Sequence, residues 1–260
     1  MKKSFLSYEK PLVTCMVQAD NPDRICELVK KSIDAGAEAF GMQFCQLKPE
    51  YRTKEVYREL FALTEGRPVY VTNYRVAKNS EKDEEKIAEE LLELAECGAT
   101  LCDVTADLFD RAIGEASIFG DPTVKVDAVE KQIKLIEELH ARGAEVLMST
   151  HTGKCTPAER VLEIALEHKR RGADISKIVT HASDMSEQIE SMRIVNMLKE
   201  KLDIPFLFLT GGECRVSRRI SGTLGNCMSL CVYEYDEFAT SHQPLVSDML
   251  KLRELLDITV

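Results

Sequence analysis

Two residues on neighbouring segments, His151 and Lys177, have the types and spacing that could do chemistry. His151 closes the apolar run Glu145-Val-Leu-Met-Ser-Thr-His151, and Lys177 lies in Ile175-Ser-Lys-Ile-Val-Thr-His181, just after a helical stretch. A lysine set in an otherwise apolar strand is costly to keep charged. Desolvation favours the neutral amine, which is a nucleophile for ketones and aldehydes. A histidine beside it can move the protons that imine chemistry requires. The pair points to a Schiff-base enzyme, with Lys177 as nucleophile and His151 as general acid and base.

The remaining candidates are weighed against this pair. His181, near a strand end, is either a satisfied core or rim histidine or part of the site. His140 and His168 fall in helical stretches and are expected at the surface, and His242 lies in the C-terminal loop near a possible mouth. The segment Thr210-Gly-Gly-Glu-Cys-Arg-Val-Ser-Arg-Arg-Ile-Ser-Gly222 places Arg215, Arg218 and Arg219 beside glycines that let a backbone approach a ligand. Its loop position favours an anion contact over simple pairing with surface carboxylates. The acidic stretch Asp103–Asp110 lacks histidines at ligand spacing and is a weak metal signal. Asp103 fits better as a carboxylate inside the fold, holding a lysine or histidine in register.

These residues need elements to position them. Eight apolar runs, Pro11–Val17, Glu38–Phe44, Arg67–Arg75, Thr100–Thr105, Glu145–His151, Lys177–Ala182, Pro205–Thr210 and Cys227–Tyr233, alternate with helical patterns. Asn21-Pro22-Asp23 opens one helix and Gly36 closes it; Thr156-Pro157 opens another that ends at Arg171-Gly172. Glu84–Glu96 and Val129–His140 each place apolar residues on one face. Alternating strands and helices imply parallel βαβ units. Eight units in this length fit a single-domain (β/α)8 TIM barrel spanning residues 1–260 better than a doubly wound sheet, which would more often carry a Gly-rich turn after its first strand. Strand alternation then groups Leu147, Ser149 and His151 on one face, Asp103 with Thr105, and Asn73 with Arg75. Lys177 and His151 can approach from adjacent strands.

Composition sets the outer limits. The chain has 260 residues and a formal net charge of -10, which argues against nucleic acid as the main partner. No apolar run approaches the ~20 residues that span a bilayer, and the N-terminus turns polar too soon for a secretory signal. Nine cysteines without a CxxC pair suit a reducing cytoplasm, with Cys15, Cys97, Cys102, Cys227 and Cys231 expected to pack as small apolar residues. The expectation is a cytoplasmic protein with neither a membrane nor a nucleic acid as partner.

The quoted segments resemble the type I 3-dehydroquinate dehydratase family of the shikimate pathway. Met148-Ser-Thr-His-Thr-Gly-Lys-Cys-Thr-Pro157 is similar to its Met-Ser-Asn-His segment, and Ala173-Asp-Ile-Ser-Lys-Ile178 to the surroundings of its Schiff-base lysine. Val216-Ser-Arg-Arg-Ile-Ser-Gly222 resembles the Ser-Arg-Leu-Ala-Gly segment whose arginine holds the substrate carboxylate, and Val71-Thr-Asn-Tyr-Arg-Val-Ala-Lys78 resembles Thr-Phe-Arg-Ser-Ala-Lys. The resemblance implies the barrel fold and dehydration of 3-dehydroquinate through an imine on Lys177. It implies acid–base work by His151 and tuning by Asp103. Arg219 or Arg218 would hold the carboxylate, and Arg75 and Gln243 would position the ring. No metal or organic cofactor is implied; the partner is a small keto acid, and a homodimer is possible. There are departures. Gly41-Met-Gln43 stands where the family has Glu-x-Arg, so Gln43 replaces an arginine. Lys78-Asn79-Ser80 replaces Lys-Glu-Gly, Ala239-Thr-Ser-His-Gln243 replaces the lid's Ser-x-Pro-Gly-Gln, and Ala116-Ser-Ile-Phe-Gly-Asp-Pro-Thr is added or rearranged. Three alternatives stay open: another Schiff-base lyase such as a class I aldolase or keto-acid dehydratase, a catalytically weakened metabolite-binding barrel, and a metal-dependent barrel using Asp103, His151 and His181.

Overall fold

A computed structural model describes residues 4–214, 216–239 and 242–256. Its eight parallel strands are β1 (Leu12–Val17), β2 (Ala39–Gln43), β3 (Val69–Thr72), β4 (Leu101–Thr105), β5 (Glu145–His151), β6 (Ile175–His181), β7 (Phe206–Gly211) and β8 (Met228–Cys231). They alternate with α1 (Pro22–Asp34), α2 (Lys54–Ala62), α3 (Glu84–Cys97), α4 (Val126–Ala141), α5 (Ala158–Arg170), α6 (Met185–Lys201), α7 (Val216–Leu224) and α8 (Val246–Leu255). The sheet runs β7-β6-β5-β4-β3-β2-β1-β8, a nearly closed (β/α)8 barrel. At its seam the buried Asn226 side chain accepts from the Phe208 N–H at 2.9 Å and donates to the Phe208 carbonyl at 2.8 Å. Cys227 N–H adds a bond to the Phe206 carbonyl at 3.0 Å. The side-chain amide thus satisfies backbone groups that would otherwise be buried and unpaired.

Helix starts follow local chemistry. Asn21 accepts from Arg24 N–H ahead of Pro22 in α1, Thr53 from Val56 N–H in α2, Asp83 from Glu85 N–H in α3 and Asp184 from Glu187 N–H in α6. α4 begins three residues earlier than its apolar spacing suggests, at Val126. The strand runs read from the sequence fall within a few residues of those observed.

Alternation sorts the side chains into two layers. Leu12, Ala39, Tyr70, Leu101, Leu147, Ile175, Leu207 and Met228 fill the barrel interior. Val69, Val71, Val104, Val146 and Met148 pack outward, together with apolar residues of α1–α4. The interior therefore has an apolar floor, and only above it do polar side chains point inward. Cys15, Cys97, Cys102 and Cys231 are buried, while Cys227 is half-buried. Among the described residues no helix is long and apolar enough to cross a membrane.

Candidate active site

On the layer above the floor, Lys177 comes from the third position of β6, opposite Ser149 of β5. Its Nζ donates to the Tyr74 hydroxyl at 2.6 Å, the Tyr70 hydroxyl at 3.0 Å and Asp103 Oδ2 at 3.1 Å. Both tyrosine hydroxyls also donate to Asp103 Oδ2, Tyr74 at 2.6 Å, and Ser149 donates to Asp103 Oδ1 at 2.5 Å. All of these side chains are buried. Burial lowers the affinity of Lys177 for its proton, and Asp103 opposes that effect. Burial alone would raise Asp103, but Lys177 and the three hydroxyls outweigh it and hold the carboxyl below its ordinary range. The tyrosines are pushed well up by burial and by the Asp103 charge, so both remain neutral donors. The result is a desolvated lysine with one counter-charge.

A cavity of about 670 Å³ opens over this cluster at the C-terminal ends of the strands, the face where barrels of this type place their chemistry. Lys177, His151, Tyr74, Gln43, Arg218, His181, His242 and Gln243 all line it. His151 ends β5 opposite Val179, two pairs further along the ladder than Lys177, with its ring edge-on to Tyr74 at 5.7 Å between centroids. Its Nε2 is buried and has no hydrogen-bond partner. Burial, and then the Lys177 charge, depress His151 to about 3, so the imidazole is neutral and able to accept a proton. Arg218 Nε donates to the Thr210 carbonyl at 2.5 Å, and burial lowers the guanidinium to about 10. Among the described residues no carboxylate forms an ion pair with it, although Glu213 shares the cavity wall.

Several expectations need correction. Arg75 does not reach the cavity: its guanidinium is buried outside the barrel, with Nη1 2.6 Å from Glu84 and Nη2 on Asp107. The reason is strand parity, since Tyr70, Thr72 and Tyr74 take the inward positions and Asn73 and Arg75 the outward ones. Arg219 is not among the residues lining the cavity, whereas Arg218 is. His168 is not at the surface; it is fully buried on α5, with Nε2 2.9 Å from Thr150 Oγ1 and Nδ1 2.9 Å from Ser176 Oγ. His140, by contrast, is exposed as expected, at 2.8 Å from Asp174. No group of three or more potential metal-binding side chains occurs among the described residues, so Asp103, His151 and His181 form no metal cluster. Arg215, Thr240 and Ser241 lie outside the described residues.

The departures become physical features. A Cβ on Gly41 would lie 2.1 Å from Met16 Sδ, so Met16 occupies the space an acidic side chain at that position would need. Asn79 is buried and donates to Asn73 Oδ1 at 2.8 Å and to the Tyr74 carbonyl at 2.9 Å, fixing the chain beyond β3. The long segment between β4 and α4 crosses the end of β5: Gly120 N–H donates to the His151 carbonyl at 3.0 Å, and Ile118 and Phe119 join the cavity wall. A Cβ at Gly120 would meet Asp107 Oδ2 at 2.2 Å and Arg111 Nη2 at 2.5 Å, so any side chain there would have to displace this ion pair. The sequence pattern missed Tyr70 and Tyr74. Their i, i+4 spacing across an inward strand face is the signal that could have revealed them.

Residues 122–259 match the family model for type I 3-dehydroquinase, more than half of the chain. The chain belongs to the type I 3-dehydroquinase family. Curated relatives agree: the 3-dehydroquinate dehydratase of Listeria welshimeri is 25% identical over 146 residues, 52% of this chain and 56% of that protein. That of Klebsiella pneumoniae is 28% identical over 133 residues, 50% of this chain and 51% of that protein. The chain thus spans about half the length of the curated relatives it matches. The type I 3-dehydroquinate dehydratase of Clostridium difficile, solved with covalently modified comenic acid, superposes with a TM-score of 0.79 at 16% identity, covering 100% of this chain and 96% of that one. The Geobacillus kaustophilus enzyme gives 0.78 at 12% identity over 96% and 93%. At such identities these structures establish the shared barrel alone.

Proposed function

We propose that the protein is a lyase that dehydrates 3-dehydroquinate to 3-dehydroshikimate through a Schiff base on Lys177. The observation that carries the reading is the buried Lys177, held by Asp103 at the base of a cavity whose wall presents a neutral His151 with an unpartnered Nε2. Lys177 attacks the ketone, and the resulting iminium withdraws electrons from the adjacent carbon. His151 removes the proton from that carbon and protonates the departing hydroxyl. Arg218 holds the carboxylate, and Gln243 and Gln43 contact the ring hydroxyls. The residues supply this chemistry without an organic cofactor or metal. A homodimer, a cytoplasmic setting, a single domain over residues 1–260 and a place in aromatic biosynthesis belong to the same proposal.

A second reading, a different Schiff-base lyase on the same site, has a specific observation in its favour. Arg75 faces away from the cavity and Met16 fills the space above Gly41, so the wall formed by β1–β3 offers a substrate different groups from those the family pattern implies. Incubation with 3-dehydroquinate, with and without borohydride, followed by peptide mass spectrometry, separates the two. Enone formation together with a reduced adduct on Lys177 supports the dehydratase. An adduct without turnover moves the assignment to another keto acid. In Lys177→Ala both signals are expected to vanish, and persistent turnover there would refute the imine route.

A further inference from the structure

Imine formation requires protons to leave Nζ and reach the carbonyl oxygen, and the neutral His151 ring has no hydrogen bond to Lys177. The hydroxyl of Tyr74 does. It accepts from Nζ at 2.6 Å, donates to Asp103 Oδ2 at 2.6 Å, and its side chain lines the cavity in which a carbonyl must lie. Tyr70 also bonds to Lys177 and Asp103, but it belongs to the apolar interior below and does not line the cavity. Tyr74 is held in place by Asn79, whose amide donates to its backbone carbonyl at 2.9 Å.

We propose that Tyr74 is the catalytic acid–base for making and breaking the imine, which leaves His151 to the proton on carbon. This rests on the Schiff-base reading above. The step starts from the Lys177 ammonium paired with Asp103. Nζ passes one proton to the Tyr74 oxygen while Tyr74 passes its own to Asp103 Oδ2, freeing a nitrogen lone pair. The lone pair forms the N–C bond, and the carbonyl π electrons move to oxygen. Through Tyr74 the stored proton and a second proton from nitrogen reach that oxygen. The C–O bond then breaks, water departs and C=N forms. Both protons lost by nitrogen end in the water, and the iminium retains the single positive charge, still facing Asp103. Groups facing the Tyr74 hydroxyl are Lys177, Asp103 and Tyr70, with His151 edge-on and the Cys45 thiol close enough to act on it electrostatically.

The test compares trapping rates at Lys177 in the intact chain, using cyanoborohydride with 3-dehydroquinate and separately with glyoxylate, a small aldehyde-acid probe. Tyr74→Phe is expected to slow trapping with either probe by about 10²-fold or more, the range for loss of a positioned acid–base group, while Tyr70→Phe slows it much less. Trapping by Tyr74→Phe within threefold of the parent, or an equal loss in Tyr70→Phe, overturns the proposal. Trapping with glyoxylate but not 3-dehydroquinate removes the substrate assignment and leaves the tyrosine comparison intact. Absence of trapping in the parent with both probes removes the imine reading and this inference with it. If Tyr74→Phe does not fold, a ring-fluorinated tyrosine at position 74 keeps the contacts and lowers the hydroxyl pKa. The pH profile of trapping is then expected to move to lower pH, and an unmoved profile overturns the proposal.

Discussion

Lys177 has one carboxylate partner and no bulk solvent, so its proton affinity is a balance between two opposed effects. Burial pushes it down, and Asp103 pulls it back up. Replacing Asp103 with Asn removes only the second. The pH at half-maximal trapping should therefore fall in Asp103→Asn, since no negative charge remains beside Nζ to favour the ammonium. Stability near neutrality should drop as well, by on the order of 3 kcal/mol, because breaking a buried pair leaves its partner uncompensated. A trapping profile over pH and a urea titration check the two effects separately. A profile displaced to higher pH would mean that Asp103 does not set the state of the lysine. The tyrosines cannot substitute for it, because burial and the carboxylate keep both as neutral donors.

At the scale of elements, His168 ties α5 to the two strands that carry the chemistry. Thr150 and Ser176, its hydrogen-bond partners, immediately precede His151 and Lys177 in the chain and face outward while those two face in. Burial holds both His151 and His168 at about 3, against an ordinary 6.5. The unfolded chain thus binds more protons than the native one as pH falls from 6.5 toward 3, and stability is lost through that window. At about pH 5 each histidine accounts for a loss of about 2 kcal/mol. His168→Gln keeps a polar group between the strands and removes one titration. The decline in unfolding free energy from neutral pH to about pH 5 should then be smaller by about 2 kcal/mol, measured by urea unfolding at the two pH values. An unchanged decline would show that His168 does not titrate in this window.

The same elements show what the sequence reveals and what it hides. Eight apolar runs and capped helices were enough for a barrel because each carries its own periodicity. Lys177, His151 and Asp103 stood out because charged or titratable groups are costly inside apolar strands. The face of the third strand was not legible. Asn73 and Arg75 share a side, but a period of two does not say whether that side meets the cavity or the helices, and Tyr70 and Tyr74 hold the inward one. His168 was misplaced for a related reason: helical position does not reveal that Thr150 and Ser176 offer its ring nitrogens partners in the dry layer behind the barrel. Gly120 looked like part of an inserted loop, and only the packing of Asp107 beside it explains why that residue is small.

Across the whole molecule, the family match and the geometry divide the barrel into two halves. Residues 122–259 contain His151, Lys177 and Arg218, whereas β1–β4, with Tyr74 just beyond β3 and Asp103 on β4, precede the matched stretch. It is in β2 that the resemblance sets Gly41 and Gln43 against an acidic and a basic residue, and just beyond β3 that Arg75 faces outward. Restoring the family's glutamate by Gly41→Glu should fail in the parent chain, since even a Cβ there would meet Met16 Sδ at 2.1 Å and Cε at 2.8 Å. Overpacking of this kind costs about 1–3 kcal/mol or more. Met16→Ala clears the space at the cost of a small cavity, so the two changes should couple favourably, by about 0.5–3 kcal/mol in a double-mutant cycle of unfolding free energies. Strict additivity would mean that Met16 moves aside without strain, and that Gly41 is not what keeps an acidic side chain out of the barrel. Coupling would instead make Met16 and Gly41 a single packing unit, in which the methionine side chain takes the space that a longer residue at position 41 would need.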